Sequence, residues 1–338
     1  MVEGHRILVS GVGSVGERHI RNLIHLGHDQ ISLHRTRNLP FRTLDREFPT
    51  YSDLTEALQR FKPTVVFVTG PTASHMPVAL AAARAGCHLF IEKPISHTLD
   101  GVTELAETLD QRGRHAMVGY MLRFHPLLRR VKTWLEQGES GPLGLPLFVR
   151  SSWGEHVPDW HPWEDYRDSY AVLPGMGGGP ALTLSHDLDL VVWMLGRPDL
   201  VVGLANRSSP LEAACEHAVD VLLRFPGGAT ANVHLDYLQR PPQRSWELVG
   251  TRGRVVFDYH AGTLTRYQGT VGEAPPPGGV VNPEAESWSL PAGFERNDLF
   301  LDELRDFFVC LAENRPPSPG ISEAAMSVQI ALAVMERN

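Results

Sequence analysis

Two residues carry side chains and settings suited to proton and oxygen chemistry. Lys93 follows the apolar run "CHLFIEKP" directly and is itself followed by Pro94. An ammonium fixed at a strand exit can polarise an oxygen, although a surface lysine at a strand end has the same local pattern. His186 follows the glycine-rich "GMGGGPALTLS", with Thr183 three residues upstream and Asp187 and Asp189 just behind it. An imidazole titrates near neutrality and exchanges protons with a hydroxyl. The other reading is a histidine at a helix start, with Ser185 as its cap. On a helix Asp189, at i+3, lies near the histidine's face, and Asp187, at i+1, does not.

What positions such groups begins at the amino end. "RILVSGVGSVGERHIRNLIHLG" is an apolar run, a glycine cluster and a helical pattern ending at Gly27. Gly11, Gly13 and Gly16 fit G-x-G-x-x-G, with Ser14 and Val15 completing the loop. The first glycine permits the turn, the second lets backbone approach a pyrophosphate, and the third allows close helix–strand packing. The phosphates then rest on the helix N-terminus. A second strand, "QISLHR", follows, as a dinucleotide cradle requires. Its end carries His34, Arg35, Thr36 and Arg37 where an NAD site usually places an acidic residue. Cations with a hydroxyl suit a 2′-phosphate, so NADP is favoured and NAD remains possible.

Strand and helix patterns then alternate through "TVVFVTGP", "ASHMPVALAAARAG", "CHLFIEKP", "DGVTELAETLDQRG" and "HAMVGY". Near-continuous apolar strands separated by helices predict a doubly wound parallel sheet of the Rossmann type. Ligands of such sheets bind beyond the carboxyl ends of the strands. That criterion selects Thr69 and His75 in "TGPTASH", together with Glu92 and Lys93.

The bulk numbers limit the function classes. With 338 residues, 42% of them hydrophobic and 21% charged, the chain is long enough for two domains with cores of their own. The formal charge of −8 argues against a nucleic-acid partner. No apolar run approaches the ~18 residues of a membrane span. "MVEGHRILVSGVG" enters a strand pattern almost at once, leaving no room for a signal peptide, so a cytoplasmic location is expected. Cys87, Cys215 and Cys310 are odd in number and widely spaced, unlike a disulfide framework or a zinc site, and no HExxH spacing occurs among the 16 histidines. No metal is expected.

Over essentially its whole length the chain resembles the Gfo/Idh/MocA family of sugar and polyol oxidoreductases. The resemblance rests on "GVGSVGERHI", "EKPIS", "GYMLRFHP", "GGGPALTLSHDLD" and the closing "FLDELRDFFVCLAENRPPSPGISEAAMSVQIALAVME". It looks closest to members with "EDYRDSY" before the glycine run, which tend towards surface-sugar or nucleotide-sugar metabolism. The resemblance implies a Rossmann domain, placed at 1–122, and a substrate-binding and oligomerisation α+β domain, placed at 123–338, with an open, largely antiparallel sheet. The residues agree independently: "LFVRSSW", "AVDVLLRF", "ATANVHLDY", "WELVGT" and "RVVFDY" alternate with period two between turn signals. "EAPPPGGVVNPEAE" reads as a long loop. Phe300, Leu304, Phe307 and Leu311 recur at helical spacing as core positions.

In the family, the lysine of EKP and a histidine after the glycine run flank the carbon that is oxidised. Carried onto this chain these are Lys93 and His186, the first polarising the oxygen and the second taking its proton. Many relatives have Asp upstream of the histidine, where this chain has Thr183. A threonine can hold a substrate hydroxyl but cannot stabilise an imidazolium as a carboxylate does. Arg123 is placed to bind a substrate carboxylate or phosphate. Trp153 and Tyr166, within "SSWGEHVPDWHPWEDYRDSY", offer aromatic and hydrogen-bonding groups suited to a sugar ring, or else pin a loop. The expectation is an NAD(P)-dependent oxidoreductase acting on a secondary hydroxyl or keto carbon of a sugar, polyol or nucleotide sugar, assembled as a dimer or tetramer. Transient use of NAD for elimination or glycoside cleavage is the alternative. A catalytically inactive dinucleotide-binding regulator is a third reading.

Overall fold

The computed structural model describes residues 4–37, 40–269, 271–272 and 284–335. The chain forms two compact units. One comprises Met1–Met121, Gly175–Gly177 and Glu295–Gln329, the other Leu122–Pro174, Gly178–Phe294 and Ile330–Asn338.

The first unit alternates strand and helix: β1 (Ile7–Ser10), α1 (Ser14–His25), β2 (Ile31–His34), β3 (Thr50–Tyr51), α2 (Leu54–Phe61), β4 (Val65–Val68), α3 (His75–Arg84), β5 (His88–Glu92), α4 (Val102–Gln111) and β6 (Ala116–Gly119). The strands form one sheet in the order β3-β2-β1-β4-β5-β6, with every pairing parallel. Ile7, Leu8, Val9, Val65 to Val68 and Leu89 to Ile91 are fully buried, which is why these strands read as unbroken apolar runs. Phe67 and Phe90 pair across β4 and β5 with rings stacked 4.9 Å apart. Each such side chain contributes about 1.5–3 kcal/mol by leaving water. Helix ends follow local chemistry. Asp53 caps α2 by accepting the Glu56 N–H at 2.7 Å, and the chain leaves that helix through Lys62 in the left-handed region.

The second unit contains α5 (Pro126–Glu136), β7 (Pro146–His156), α6 (Pro180–Thr183), α7 (His186–Leu195), β8 (Leu200–Asn206), β9 (Ala218–Arg224), β10 (Thr230–Asp236), β11 (Leu238–Gly250), β12 (Gly253–Asp258), β13 (Thr263–Gln268) and β14 (Ala285–Ser289). Its eight-stranded sheet runs β14-β13-β12-β11-β7-β10-β9-β8. Among its described strands only β7 and β10 pair in parallel. The five alternating runs seen in the sequence fall in β7, β9, β10, β11 and β12. Three strands, β8, β13 and β14, were not anticipated. Nor was the first part of β11, which runs through Pro241 and Pro242; the register slips there, between Leu238 and Gln243, because proline donates no ladder hydrogen bond. Of the expected loop "EAPPPGGVVNPEAE", residues 273–283 lie outside the described residues, and Ala285 and Glu286 belong to β14 rather than to a loop.

Two long helices follow. α8 (Arg296–Ala312) starts with a reciprocal cap between Glu295 and Asp298, and α9 spans Ile321–Met335. Phe300, Leu304 and Phe307 are buried as their spacing demands, while Leu311 is half-buried. Within the first unit α8 lies on α1, where Asn22 and Asn297 exchange hydrogen bonds of 3.2 and 2.9 Å.

Candidate functional site

In the first unit the candidate residues converge on the carboxyl ends of β1, β4 and β5. Gly11 has φ of 100°, and a Cβ there would strike the Gly70 backbone beyond β4. A Cβ at Gly16 would strike the Gly11 carbonyl. These two glycines are required by the protein's own packing. Gly13 is different: among the described residues, a Cβ there would meet no atom within 4 Å and no side chain caps α1, which it precedes. A glycine that the fold does not need, at an uncapped helix start, fits a ligand approaching backbone N–H groups. The Ser14, Val15 and Gly16 amides are among the four without intrahelical partners. The residues therefore suit a dinucleotide pyrophosphate.

Thr69 closes the loop from β4, its hydroxyl donating to the Gly11 carbonyl at 2.6 Å. His75 is buried, with Nδ1 2.9 Å from the Pro94 carbonyl and Nε2 2.8 Å from the Gly70 carbonyl. Burial lowers its pKa against the opposing pull of those two carbonyls. A neutral ring has one N–H, so it donates to one of the two at a time. The ring thus braces the β4 exit against the segment that carries Lys93. Glu92 ends β5. One of its oxygens meets His19 Nε2 at 2.6 Å and the other accepts the Lys93 N–H at 3.2 Å. Burial pushes this carboxyl up, but the His19 hydrogen bond and the charges of His19 and Lys93 outweigh it and hold the pKa below the usual value. Lys93 is half-buried, and its bond to Pro94 is cis.

At the end of β2, His34 Nδ1 lies 2.8 Å from the Ser10 hydroxyl. Arg35 sits over the Phe41 ring, its guanidinium carbon 4.7 Å from the centroid, and its Nε donates to the Arg37 carbonyl at 3.2 Å. Thr36 and Arg37 are exposed. Two carboxylates of this region have other work. Glu17 accepts the Thr43 N–H at 2.8 Å and the Thr43 hydroxyl at 2.6 Å, and Asp53 caps α2.

In the second unit His186 opens α7, which packs on β7 and β10 and is buried on nearly every side of its first two turns. The His186 ring lies 6.0 Å from that of Trp153 on β7. Trp153 donates its indole N–H to Glu155 at 2.8 Å and carries the Arg244 guanidinium 3.8 Å over its ring. Arg244 is salt-bridged to Asp187, which also accepts the Ser151 hydroxyl at 2.6 Å. Asp189 takes a two-pronged ion pair from Arg123, Nε at 2.9 Å and a terminal nitrogen at 2.7 Å, with both side chains at most 3% exposed. Each aspartate after His186 therefore faces a buried arginine, the geometry that makes a buried carboxylate tolerable.

Thr183 donates to its own helix at the Gly179 carbonyl, 2.9 Å away, and touches the Tyr237 hydroxyl, which donates to the Ala171 carbonyl at 2.9 Å. Two hydroxyl protons serve three contacts, so two of the three are bonded at once. Tyr166 sits in a short turn, where its hydroxyl accepts the Glu212 N–H at 3.2 Å. The structure thus brings Trp153 to His186 and ties Thr69 to Gly11, but it places Arg123 on Asp189, Thr183 on Tyr237 and Tyr166 on Glu212. Sequence reasoning missed His19, Ser151, Arg244 and Tyr237. The one signal was the acidic pair behind His186, since buried carboxylates on a mostly apolar helix require cations from elsewhere.

The comparisons agree with this architecture. The family model described as an oxidoreductase family with an NAD-binding Rossmann fold matches residues 5–120, and that of the GFO/IDH/MocA C-terminal domain matches residues 128–256. The chain is 24% identical to levoglucosan dehydrogenase of Pseudarthrobacter phenanthrenivorans, covering 80% of this chain and 77% of the relative. It is 25% identical to myo-inositol 2-dehydrogenase of Thermotoga maritima, covering 97% and 94%. Among solved structures, levoglucosan dehydrogenase in complex with NADH and levoglucosan superposes with a TM-score of 0.80 at 19% identity over 98% of this chain and 96% of that one. With both parts of the family's two-part signature in order along the sequence, the chain belongs to the Gfo/Idh/MocA family of oxidoreductases.

Proposed function

We propose that this enzyme is an NADP-preferring dehydrogenase or reductase of a secondary hydroxyl or keto carbon in a sugar, polyol or nucleotide sugar. The observation that carries the dinucleotide reading is Gly13, a glycine with open space where a side chain would stand, at the uncapped start of α1. Gly11 to Gly16 hold the pyrophosphate, and Arg35, Thr36 and Arg37 favour the 2′-phosphate. The nicotinamide, when bound, supplies the hydride acceptor or donor.

The chain's own residues do the rest. Lys93, held in place by the Glu92 contact with its amide and by the His75 brace on Pro94, donates a hydrogen bond to the reacting oxygen and stabilises its developing negative charge. His186 exchanges the hydroxyl proton. Trp153 borders the sugar ring beside it with the part of its indole that Arg244 leaves uncovered. The family relatives named for levoglucosan and inositol support a neutral, hydroxyl-rich substrate. Self-association belongs to the same proposal. Leu200, Val202 and Leu204 on β8 and Leu222 on β9 expose apolar side chains, and Val202 pairs with Leu222 in the ladder.

Absorbance at 340 nm over a panel of sugars and polyols tests the reading. Accumulating NADPH or NADH with a hydroxyl substrate is expected. Product without accumulation would mean transient hydride use instead, and tight cofactor binding without turnover across the panel would overturn the enzymatic assignment.

A further inference from the structure

A cavity of about 660 Å³ opens in the first unit at the amino ends of β1, β4 and β5, away from the glycine loop at their carboxyl ends. Its volume lies within the roughly 300–1,000 Å³ of small-molecule sites. Arg6, Lys62 and Arg114 line it with His5 and His88, and no Asp or Glu does so among the described residues. Leu58, Pro63 and Ala85 supply an apolar wall.

The arginines are pre-set. Arg6 Nε donates to the Lys62 carbonyl at 2.7 Å, and Arg114 Nε donates to the Gly86 carbonyl at 2.8 Å. Those carbonyls follow the C-termini of α2 and α3, whose dipoles attract cations, so helix capping accounts for part of the arrangement. It does not account for all of it. Each helix end carries about −0.5 charge, so three full cations leave the wall with roughly two positive charges.

The donors also outnumber the acceptors. The His115 backbone N–H donates to His88 Nδ1 at 3.0 Å, so a neutral His88 carries its proton on Nε2. Arg114 places a terminal nitrogen 3.3 Å from that Nε2. Two N–H donors thus face each other at the cavity wall, and an oxygen lying against both would satisfy them together. Burial, reinforced by the charges of Arg114, His115 and His5, lowers the His88 pKa to about 4.

We propose that this cavity is a second ligand site, distinct from the dinucleotide loop, for the phosphate ester of a sugar-sized molecule. The phosphate lies against Arg114, Arg6 and His88, and the organic body rests on Leu58, Pro63 and Ala85. The proposal stands apart from the catalytic assignment, because none of these residues belongs to it.

Calorimetric titration of the full chain, saturated with NADP so that the glycine loop is filled, tests it with inorganic phosphate, glucose 6-phosphate and glucose. Carbon-13-labelled histidine reports the site by NMR. Glucose 6-phosphate should bind more tightly than phosphate, shift the His88 resonance and raise its pKa from about 4. Arg114→Gln and Arg6→Gln should each weaken binding at least ten-fold with turnover unchanged, and both side chains are exposed enough to be replaced without disturbing the fold. Affinity equal in wild type and both variants, or no His88 shift at saturation, would overturn the site. Equal affinity for phosphate and its ester would overturn the assignment to an ester.

Discussion

Arg123 offers the sharpest contrast between a binding and a structural role. Its guanidinium is bound through two nitrogens to Asp189, and neither side chain is more than 3% exposed. Replacing Arg123 by Met keeps most of the volume but leaves the Asp189 carboxylate buried without its cation. Breaking a buried pair in this way costs about 3–5 kcal/mol. At about 2–4 °C per kcal/mol for a unit of this size, Tm should fall by roughly 6–20 °C. Arg123→Met combined with Asp189→Leu removes both charges, and an apolar pair at such a site is often neutral, so most of the loss should return. Differential scanning calorimetry of wild type, both single variants and the double variant measures the coupling. KM for a neutral polyol and for a uronate, measured below the transition, supplies the second readout. If Arg123→Met keeps Tm within about 1 °C of wild type and raises KM for the uronate alone, Arg123 holds substrate and the structural argument fails.

Arg35→Ala with Arg37→Ala should weaken NADP at least ten-fold, the loss of one charge-assisted hydrogen bond at about 1.5–3 kcal/mol, with NAD nearly unchanged in fluorescence titrations. His234 lies between Asp220 at 2.8 Å and Asp236 at 3.1 Å. The Asp236 hydrogen bond, aided by Asp220 and opposed by burial, raises its pKa from 6.5 to about 9. A raised folded-state pKa stabilises fully below the unfolded value and is lost as pH rises through the folded one. The stability gap between wild type and His234→Gln should therefore be about 1–2 kcal/mol below pH 6.5, after allowance for partial exposure, and should close by pH 9 in urea titrations. Leu204→Lys with Leu222→Lys should lower the mass seen by light scattering without lowering Tm, since both side chains are more than half exposed.

How much of this was legible follows from the range of the forces involved. The parallel sheet was plain because strands covered on both faces must be apolar along their length, as at Val65 to Val68. The glycine loop was legible because its three glycines keep a fixed spacing between a strand and a helix, Gly11 and Gly16 through close backbone contacts and Gly13 without one. The partners of α7 were not. Asp189 and Arg123 lie 66 residues apart and Asp187 and Arg244 57 apart, and nothing local marks which arginine is drawn inward. Thr183 illustrates the same limit. Its spacing from His186 was visible, but its contact with Tyr237, 54 residues on, is set by the return of β10 beneath α6. The first part of β11 escaped because two prolines interrupt its pattern at a register slip, and β8 because its alternation exposes Leu200, Val202 and Leu204 where a polar face is expected. Pattern reading finds elements whose burial is periodic. It does not find pairs assembled by topology.

The most direct test of the catalytic account is a single-turnover measurement at 340 nm with wild type, Lys93→Ala and His186→Asn, each with cofactor saturating and with its cofactor Kd determined separately. The account predicts that both variants bind NADP as wild type does and lose at least ~100-fold in the rate of hydride transfer, the scale of a general-base contribution. It further predicts that the wild-type pH–rate profile carries an ionisation belonging to His186, which disappears in His186→Asn alone. Transfer at near wild-type rate in His186→Asn, with that ionisation intact, would contradict it.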